Sequence, residues 1–281
     1  MTATRLETHR VDKVWGRYHL GPGFGDVAPG GAPVGEIWFQ DDRDDAELLV
    51  KYLFTSEKLS IQVHPDDEAA RTHGYPRGKD EAWLILDADP GATIAIGTRE
   101  VMTADELRAA ALDGTIEDLV DWKAVKAGDV FYSPAGTIHA IGAGLTLIEV
   151  QQNIDLTYRL YDYGRPRELH LDDGIAVSKP VPYVAPTVPR ALGDRRTILV
   201  EGAKFVLEHW RGPLSGPVAV DPARPLWLIP VIGGGTLDGA RFTAGEVWRA
   251  DTHALLTLDD GAGLLIAYPG KSIIDGLFPP R

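Results

Sequence analysis

Four side chains in the first two thirds of the chain carry the donor atoms of a divalent-cation site: the amide of Gln62, the imidazoles of His64 and His139, and the carboxylate of Glu81. Such a set suits Zn²⁺ and leaves a coordination position for water or a substrate oxygen. With no cysteine anywhere in the 281 residues, thiolate ligands and disulfides are excluded, so a metal must be held by His, carboxylate or amide. Taken singly, each residue has an ordinary alternative: a histidine at a strand end is commonly a packed or surface residue, and a Glu before a Trp is commonly a solvated strand edge. Order and context raise the weight of the set, because each member sits on an expected strand or just past a turn, within one β-rich region.

The strand pattern that would position them is clearest in EKLSIQVHPDD, residues 57–67. Side chains two apart share a face of a strand, so Lys58, Ser60, Gln62 and His64 are expected on one side and Leu59, Ile61 and Val63 on the other. Pro65 then fixes the strand end. Glu81 opens the next strand, 81–86, with Lys79 two residues earlier on the same face, and Pro134-Ala135-Gly136-Thr137 forms a tight turn that aims His139 inward. Further strands are expected over 46–54, 124–125, 130–132, 137–139 and 145–150, with one or two helical turns over 66–73 closed by Gly74. The capping-box spacing of Thr103 and Glu106 predicts a helical segment over 103–122, interrupted at Gly114 and restarting at Thr115.

Short strands punctuated by 31 glycines and 20 prolines predict a mainly β chain built as a sandwich or barrel. The length allows one large β domain or two smaller ones. Four prolines between Ser178 and Arg190 mark a stiff connector, so the expected domains are 1–185, containing the candidate ligands, and 186–281. The second resembles the first weakly: Trp83-Leu84-Ile85 is echoed by Trp227-Leu228-Ile229, and Ala127-Gly128-Asp129-Val130 by Ala244-Gly245-Glu246-Val247. In that alignment Pro225 stands where Glu81 does, and His209 and His253 fall near His64 and His139, so a single metal is expected, in the first barrel. Chance recurrence of short β motifs is the competing explanation.

A formal charge of −13, from 28 basic and 41 acidic residues, opposes attraction to nucleic acid or anionic lipid. An anionic substrate would therefore need a local concentration of cations. The N-terminal stretch lacks the apolar core of a signal peptide and no run approaches the ~20 apolar residues of a membrane span. The expectation is a cytoplasmic protein with neither nucleic-acid nor membrane partners, of a subunit number the sequence does not specify.

The strings EKLSIQVHPDD, GKDEAWLIL, GDVFYSPAGTIHAIG and IEVQQNIDLTYRLYDY, in this order, closely resemble the type I mannose-6-phosphate isomerases, zinc enzymes of the cupin superfamily. The resemblance spans about Lys13 to Leu171 and thins over the C-terminal third. It implies two cupin-type, jelly-roll β-barrels, and one Zn²⁺ per chain on Gln62, His64, Glu81 and His139. It also implies a sugar-phosphate substrate lined by Ser60, Lys79 and Arg159, and an aldose–ketose isomerisation through an enediol. Glu149 matches a carboxylate near the reacting carbons and is the expected base, with Lys79 or a metal-bound water as rivals. The chain resembles a short member, without a helical insert. It departs from the family pattern at Asp80, where Thr or Pro is frequent, and at Arg17, where a second glycine after Trp15-Gly16 is common. Two other readings stay open: an Fe-dependent cupin oxygenase, against which Gln62 replaces the first His of the usual His-x-His pair, and a non-catalytic sugar-phosphate-binding cupin.

Overall fold

The computed structural model describes residues 3–21, 23–43 and 46–278, so the outermost residues of both expected domains lie outside it. The chain is mainly β, in four antiparallel sheets. A six-stranded sheet runs Glu7–Arg17, Val34–Gln40, Leu48–Thr55, Leu145–Gln152, Glu81–Ala88, Val130–Ser133. It faces a five-stranded sheet of Tyr158–Tyr161, Ile61–Val63, His139–Ile141, Thr93–Thr98 and Val120–Ala124, and the two enclose a first barrel. In the C-terminal half a seven-stranded sheet, centred on Leu226–Ile232, Gly263–Pro269 and Phe205–Arg211, accompanies a four-stranded one. The N-terminal strand Ala3–Arg5 pairs with Trp248–Ala250 at the edge of that seven-stranded sheet.

Alternation along Leu48–Thr55 explains how one strand serves two cores. Val50, Tyr52 and Phe54 point into a large apolar layer between the six- and seven-stranded sheets, with Phe39, Ile148, Val150, Phe205, Leu207, Trp227 and Leu265. Leu53, on the other face, packs inside the first barrel with Trp83, Ile85 and Leu147. All eight residues of the strand are buried. Each fully buried Leu, Ile or Phe stabilises the fold by roughly 1.5–3 kcal/mol.

Several expectations need correction. Only Ile61–Val63 of the 59–64 stretch forms ladder pairs. Lys58 therefore lies outside the alternation: its ammonium pairs with Glu117 at 2.5 Å and covers the Trp122 ring, away from Gln62. The capping box at Thr103 and Glu106 starts a helix over Ala104–Asp113, and Gly114, at φ 87°, ends it. A short helix Ile116–Leu119 follows, but Val120–Ala124 is a strand paired with Thr93–Thr98, because an apolar sheet edge there takes up Val120 and the backbone of Trp122. The strand expected over 137–139 starts at His139 and runs to Ile141. Strand Tyr158–Tyr161 and helix Leu171–Val177 were not anticipated. No described helix is long and apolar enough to cross a membrane.

The Trp-Leu-Ile echo is out of phase. Trp83 and Ile85 point into the first barrel, whereas Trp227 and Ile229 point out of the second barrel into the shared layer. The residues of that strand facing the second barrel are Leu226 and Leu228. A one-residue slip exchanges the faces of a strand, so Pro225 is not the counterpart of Glu81.

The two halves are also joined by charge. Lys204 Nζ lies 2.6 Å from Asp67 Oδ2, while Asp67 Oδ1 accepts from Gly78 N at 2.8 Å and Gln152 Nε2 at 3.0 Å. Burial opposes the Asp67 charge, but these donors override it and pull its pKa from 3.8 down to about 2. A depressed carboxylate stabilises the fold fully above its unfolded pKa and ceases to do so as pH falls through the folded value. Asp67→Asn is expected to cost on the order of 1–2 kcal/mol in urea unfolding at neutral pH. The difference from wild type should shrink between about pH 4 and pH 2; a difference undiminished at low pH would show that the link is not electrostatic.

Candidate metal centre

The five-stranded sheet supplies three of the four candidate ligands and the six-stranded sheet the fourth. His139 pairs directly with Gln62 across adjacent strands. His64 follows Val63 at the strand end, where its carbonyl accepts from Gly136 N at 2.8 Å and ties it to the turn before His139. Glu81 is the first residue of its strand, between Gln151 and Ser133, and points across the barrel. His64, Glu81 and His139 are all buried, and their donor atoms lie within 4.8 Å of one another.

The hydrogen-bond pattern fits a cation. His64 Nδ1 faces the Leu156 carbonyl and His139 Nδ1 the Thr137 carbonyl, each at 2.9 Å. Donation to those carbonyls fixes the tautomer in which Nε2 presents a lone pair. Those Nε2 atoms stand 3.4 Å and 3.0 Å from the two Glu81 oxygens. Lone pairs facing a carboxylate at that distance repel unless a positive charge lies among them. His64 Nε2 and both Glu81 oxygens are buried without a hydrogen-bond partner, a costly arrangement for ordinary core residues. The Lys79 ammonium, 3.2 Å from Glu81 Oε2, makes an ion pair there without hydrogen-bond alignment.

Electrostatics agree. Burial, reinforced by Lys79, pushes the His64 pKa down to about 3 and keeps the ring neutral. Burial opposes ionisation of Glu81, but the Lys79 ammonium beside it holds its carboxyl well below the usual carboxylate range. Burial likewise opposes the charge on Lys79, and Glu81 and Glu149 reverse that effect and raise its pKa. Gln62 places its amide nitrogen 3.3 Å from His139 Nε2 and its oxygen 3.0 Å from Ser60 Oγ. Exchanging the two ends of the amide turns the oxygen toward the centre and lets its NH₂ donate to Ser60.

Ser60, Gln62, Lys79, Glu81, Glu149 and Arg159 line one cavity of about 610 Å³. His64 and His139 sit beneath it, and Lys58, as noted, is elsewhere. Glu149 is held by Trp83 Nε1 at 3.2 Å, by Lys51 at 3.4 Å and more loosely by Lys79 at 3.9 Å. Trp38, Lys51, Glu149 and Trp83 form one cross-strand row, with Lys51 Nζ 4.4 Å from the Trp38 ring centroid. Arg159 lies at the mouth, its Nη1 donating to the Glu168 carbonyl at 2.9 Å, near Arg167, which forks onto Asp162.

Lys51, Glu36, Lys13 and Arg167 also line the cavity and were missed. Lys51 had a signal: a single lysine in the apolar run LLVKYLF. A charge at the centre of an otherwise apolar strand must find a buried partner.

Fold and site together define a double β-barrel protein of cupin type with a His/Glu/His centre inside one barrel. The chain is 37% identical over 267 residues to mannose-6-phosphate isomerase ManA of Bacillus subtilis (strain 168), covering 85% of this chain and 80% of that protein. It is 38% identical over 196 residues to a mannose-6-phosphate isomerase of Streptococcus mutans, covering 66% of this chain but 61% of that longer protein. Among solved structures, the mannose 6-phosphate isomerase from Bacillus subtilis matches with a TM-score of 0.82 and 25% identity, over 95% of this chain and 99% of that one. No family model matches the sequence. The chain belongs to the mannose-6-phosphate isomerase family.

His139→Ala should lower divalent-metal affinity at least ~100-fold by removing one donor, whereas Arg159→Ala should retain the metal. Metal content after dialysis, measured by mass spectrometry, checks both. Full metal retention in His139→Ala would rule out this ligand set.

Proposed function

We propose that the chain is a zinc-dependent isomerase interconverting mannose 6-phosphate and fructose 6-phosphate through an enediol. The observation that carries the reading is the ionic chain Glu81, Lys79, Glu149 in one cavity, which puts a candidate base one lysine away from the candidate metal ligands. The relatives named above support the substrate.

Gln62, His64, Glu81 and His139 would hold one Zn²⁺, which when bound polarises substrate oxygens. Glu149 takes the proton from C2 of the aldose, whose electron pair forms the C1–C2 double bond while the C1 carbonyl pair moves onto O1 and is protonated to give the enediol. The O2 hydroxyl then gives up its proton as C2=O forms, and Glu149 returns its proton to C1. One proton thus passes from C2 to C1 and one from O2 to O1 in giving the ketose. Reversal exchanges the two carbons. Lys79, ion-paired with Glu81 and Glu149, whose charges favour its protonated form, serves in this reading to stabilise negative charge on the reacting oxygens. Lys51 and Trp83 fix the Glu149 carboxylate in position.

Arg159 offers its guanidinium fork to the phosphate, and Ser60 assists by orienting Gln62. The cavity is lined by five Lys and Arg against six Asp and Glu. Local side chains alone thus fail to offset the overall −13; a divalent cation in the centre is what makes the cavity net positive toward a phosphate ester. In this reading residues 1–185 carry catalysis in the cytoplasm and 186–281 form a second barrel without a metal site.

Turnover of mannose 6-phosphate that disappears on chelation and returns with Zn²⁺ is the expected result. Binding without turnover would favour a sugar-phosphate sensor, and oxygen consumption an Fe-dependent oxygenase. Glu149→Gln should lower kcat by roughly 10²–10⁴ with metal content unchanged. Near-normal kcat in that variant would remove Glu149 as the base.

A further inference from the structure

Asp80 separates two cavity residues, Lys79 and Glu81, yet it faces the opposite way, toward the C-terminal half, and is buried. Its Oδ1 accepts from Ala135 N at 2.9 Å, in the turn that leads to His139. Its Oδ2 accepts a short hydrogen bond from the Tyr132 hydroxyl, which itself accepts from Ala203 N at 3.1 Å. The neighbouring Gly202 is fitted to this contact: a Cβ there would come within 2.5 Å of the Tyr132 ring.

A second arm leaves the same turn. Lys204 pairs with Asp67, which accepts from Gly78 N and from Gln152 Nε2. Gln152 in turn accepts from Asp80 N and donates its own backbone N–H to the Asp80 carbonyl, both at 3.0 Å. With Lys79 N donating to the Pro65 carbonyl at 3.0 Å, the backbone N–H groups of residues 78–80 are all committed. Both arms end on the three residues that aim Lys79 and Glu81 into the cavity.

We propose that the turn Gly202-Ala203-Lys204 of the C-terminal half is a positioning element for the metal centre, acting through Tyr132–Asp80 and Asp67–Gln152 to fix Glu81 and Lys79. This rests on reading the cavity as a metal site. It gives the second half a role in the site although it contributes no residue to the cavity lining. Tyr132 and Lys204 are positioning residues and touch neither metal nor substrate. Loss of groups that orient a metal ligand commonly weakens metal binding 10–100-fold.

The test uses the full chain and Co²⁺ as probe, read by visible absorption. Tyr132→Phe and Lys204→Met should each weaken Co²⁺ binding 10–100-fold and alter the absorption band, and each should lower kcat for mannose 6-phosphate more than it changes KM. Lys204→Arg should restore binding. Leu256→Val, in the core of the second barrel, lowers thermal stability without touching the turn and should leave Co²⁺ affinity unchanged. Folded Tyr132→Phe and Lys204→Met proteins with wild-type affinity and spectrum would overturn the proposal, as would an equal loss in Leu256→Val. If wild type binds no Co²⁺, the metal reading itself fails; if it binds Co²⁺ without turning over sugar phosphate, only the isomerase reading fails and the variants still decide the positioning role.

Discussion

A carboxylate sealed inside a barrel with neither oxygen hydrogen-bonded is the constraint around which the first barrel is organised. Removing an ionised carboxylate from water costs several kcal/mol even after relaxation, and Glu81 is only 1% exposed. Positive charge must therefore come to it. Lys79 supplies one charge, and the converging lone pairs of His64 and His139 prepare a place for more. Much else follows from that requirement. The imidazoles must be neutral and correctly turned, so their Nδ1 atoms are committed to backbone carbonyls. Lys79 must stay charged while buried, so a second carboxylate, Glu149, stands on its far side. Glu149 then needs its own partners, which Lys51 and Trp83 provide.

This alternation of charge along the inner wall also sorts the residues by chemistry. A lysine held between two carboxylates is a fixed cation and a poor proton acceptor. Glu149 faces the cavity with donors on either side, and it lies next to Lys79 without belonging to the candidate ligand set. In the proposed isomerase this arrangement favours Glu149 over Lys79 as the base, with Lys79 as the electrostatic stabiliser.

What the sequence made legible was local: the alternation Ser60, Gln62, His64, the turn before His139, the capping box at Thr103, and the β-rich class. Each of these is written within a few residues. Lys58 was misplaced because the alternation persists only one residue beyond each end of the paired segment Ile61–Val63, at Ser60 and His64, and Lys58 lies further out, where it pairs with Glu117. The helical segment was drawn too long because Val120–Ala124 takes its conformation from pairing with Thr93–Thr98, a contact between distant segments. Glu36 escaped because its importance lies in which strands become neighbours, and the partner of Lys51, though not its burial, depends on the same pairing. The tryptophan echo misled for a related reason: similarity of three letters does not carry the phase of the strand, and phase decides which side of a barrel a residue faces.

The second barrel shows what a buried carboxylate looks like when it has a structural task. Glu208 is as deeply buried as Glu81, but Arg196 forks onto both of its oxygens, Trp210 Nε1 donates at 2.7 Å and the Tyr268 hydroxyl at 2.6 Å. Every lone pair has a donor from the protein, and the surrounding interior is filled by Leu226, Leu228, Val206 and Ile266. Glu81 differs in the one respect that matters, since its oxygens face lone pairs and an imperfectly aligned ammonium. Two barrels with similar strand arrangements can bury a Glu at equal depth, and the completeness of its hydrogen bonding distinguishes the one that cross-links the fold from the one prepared for a cation. Burial alone would have marked both.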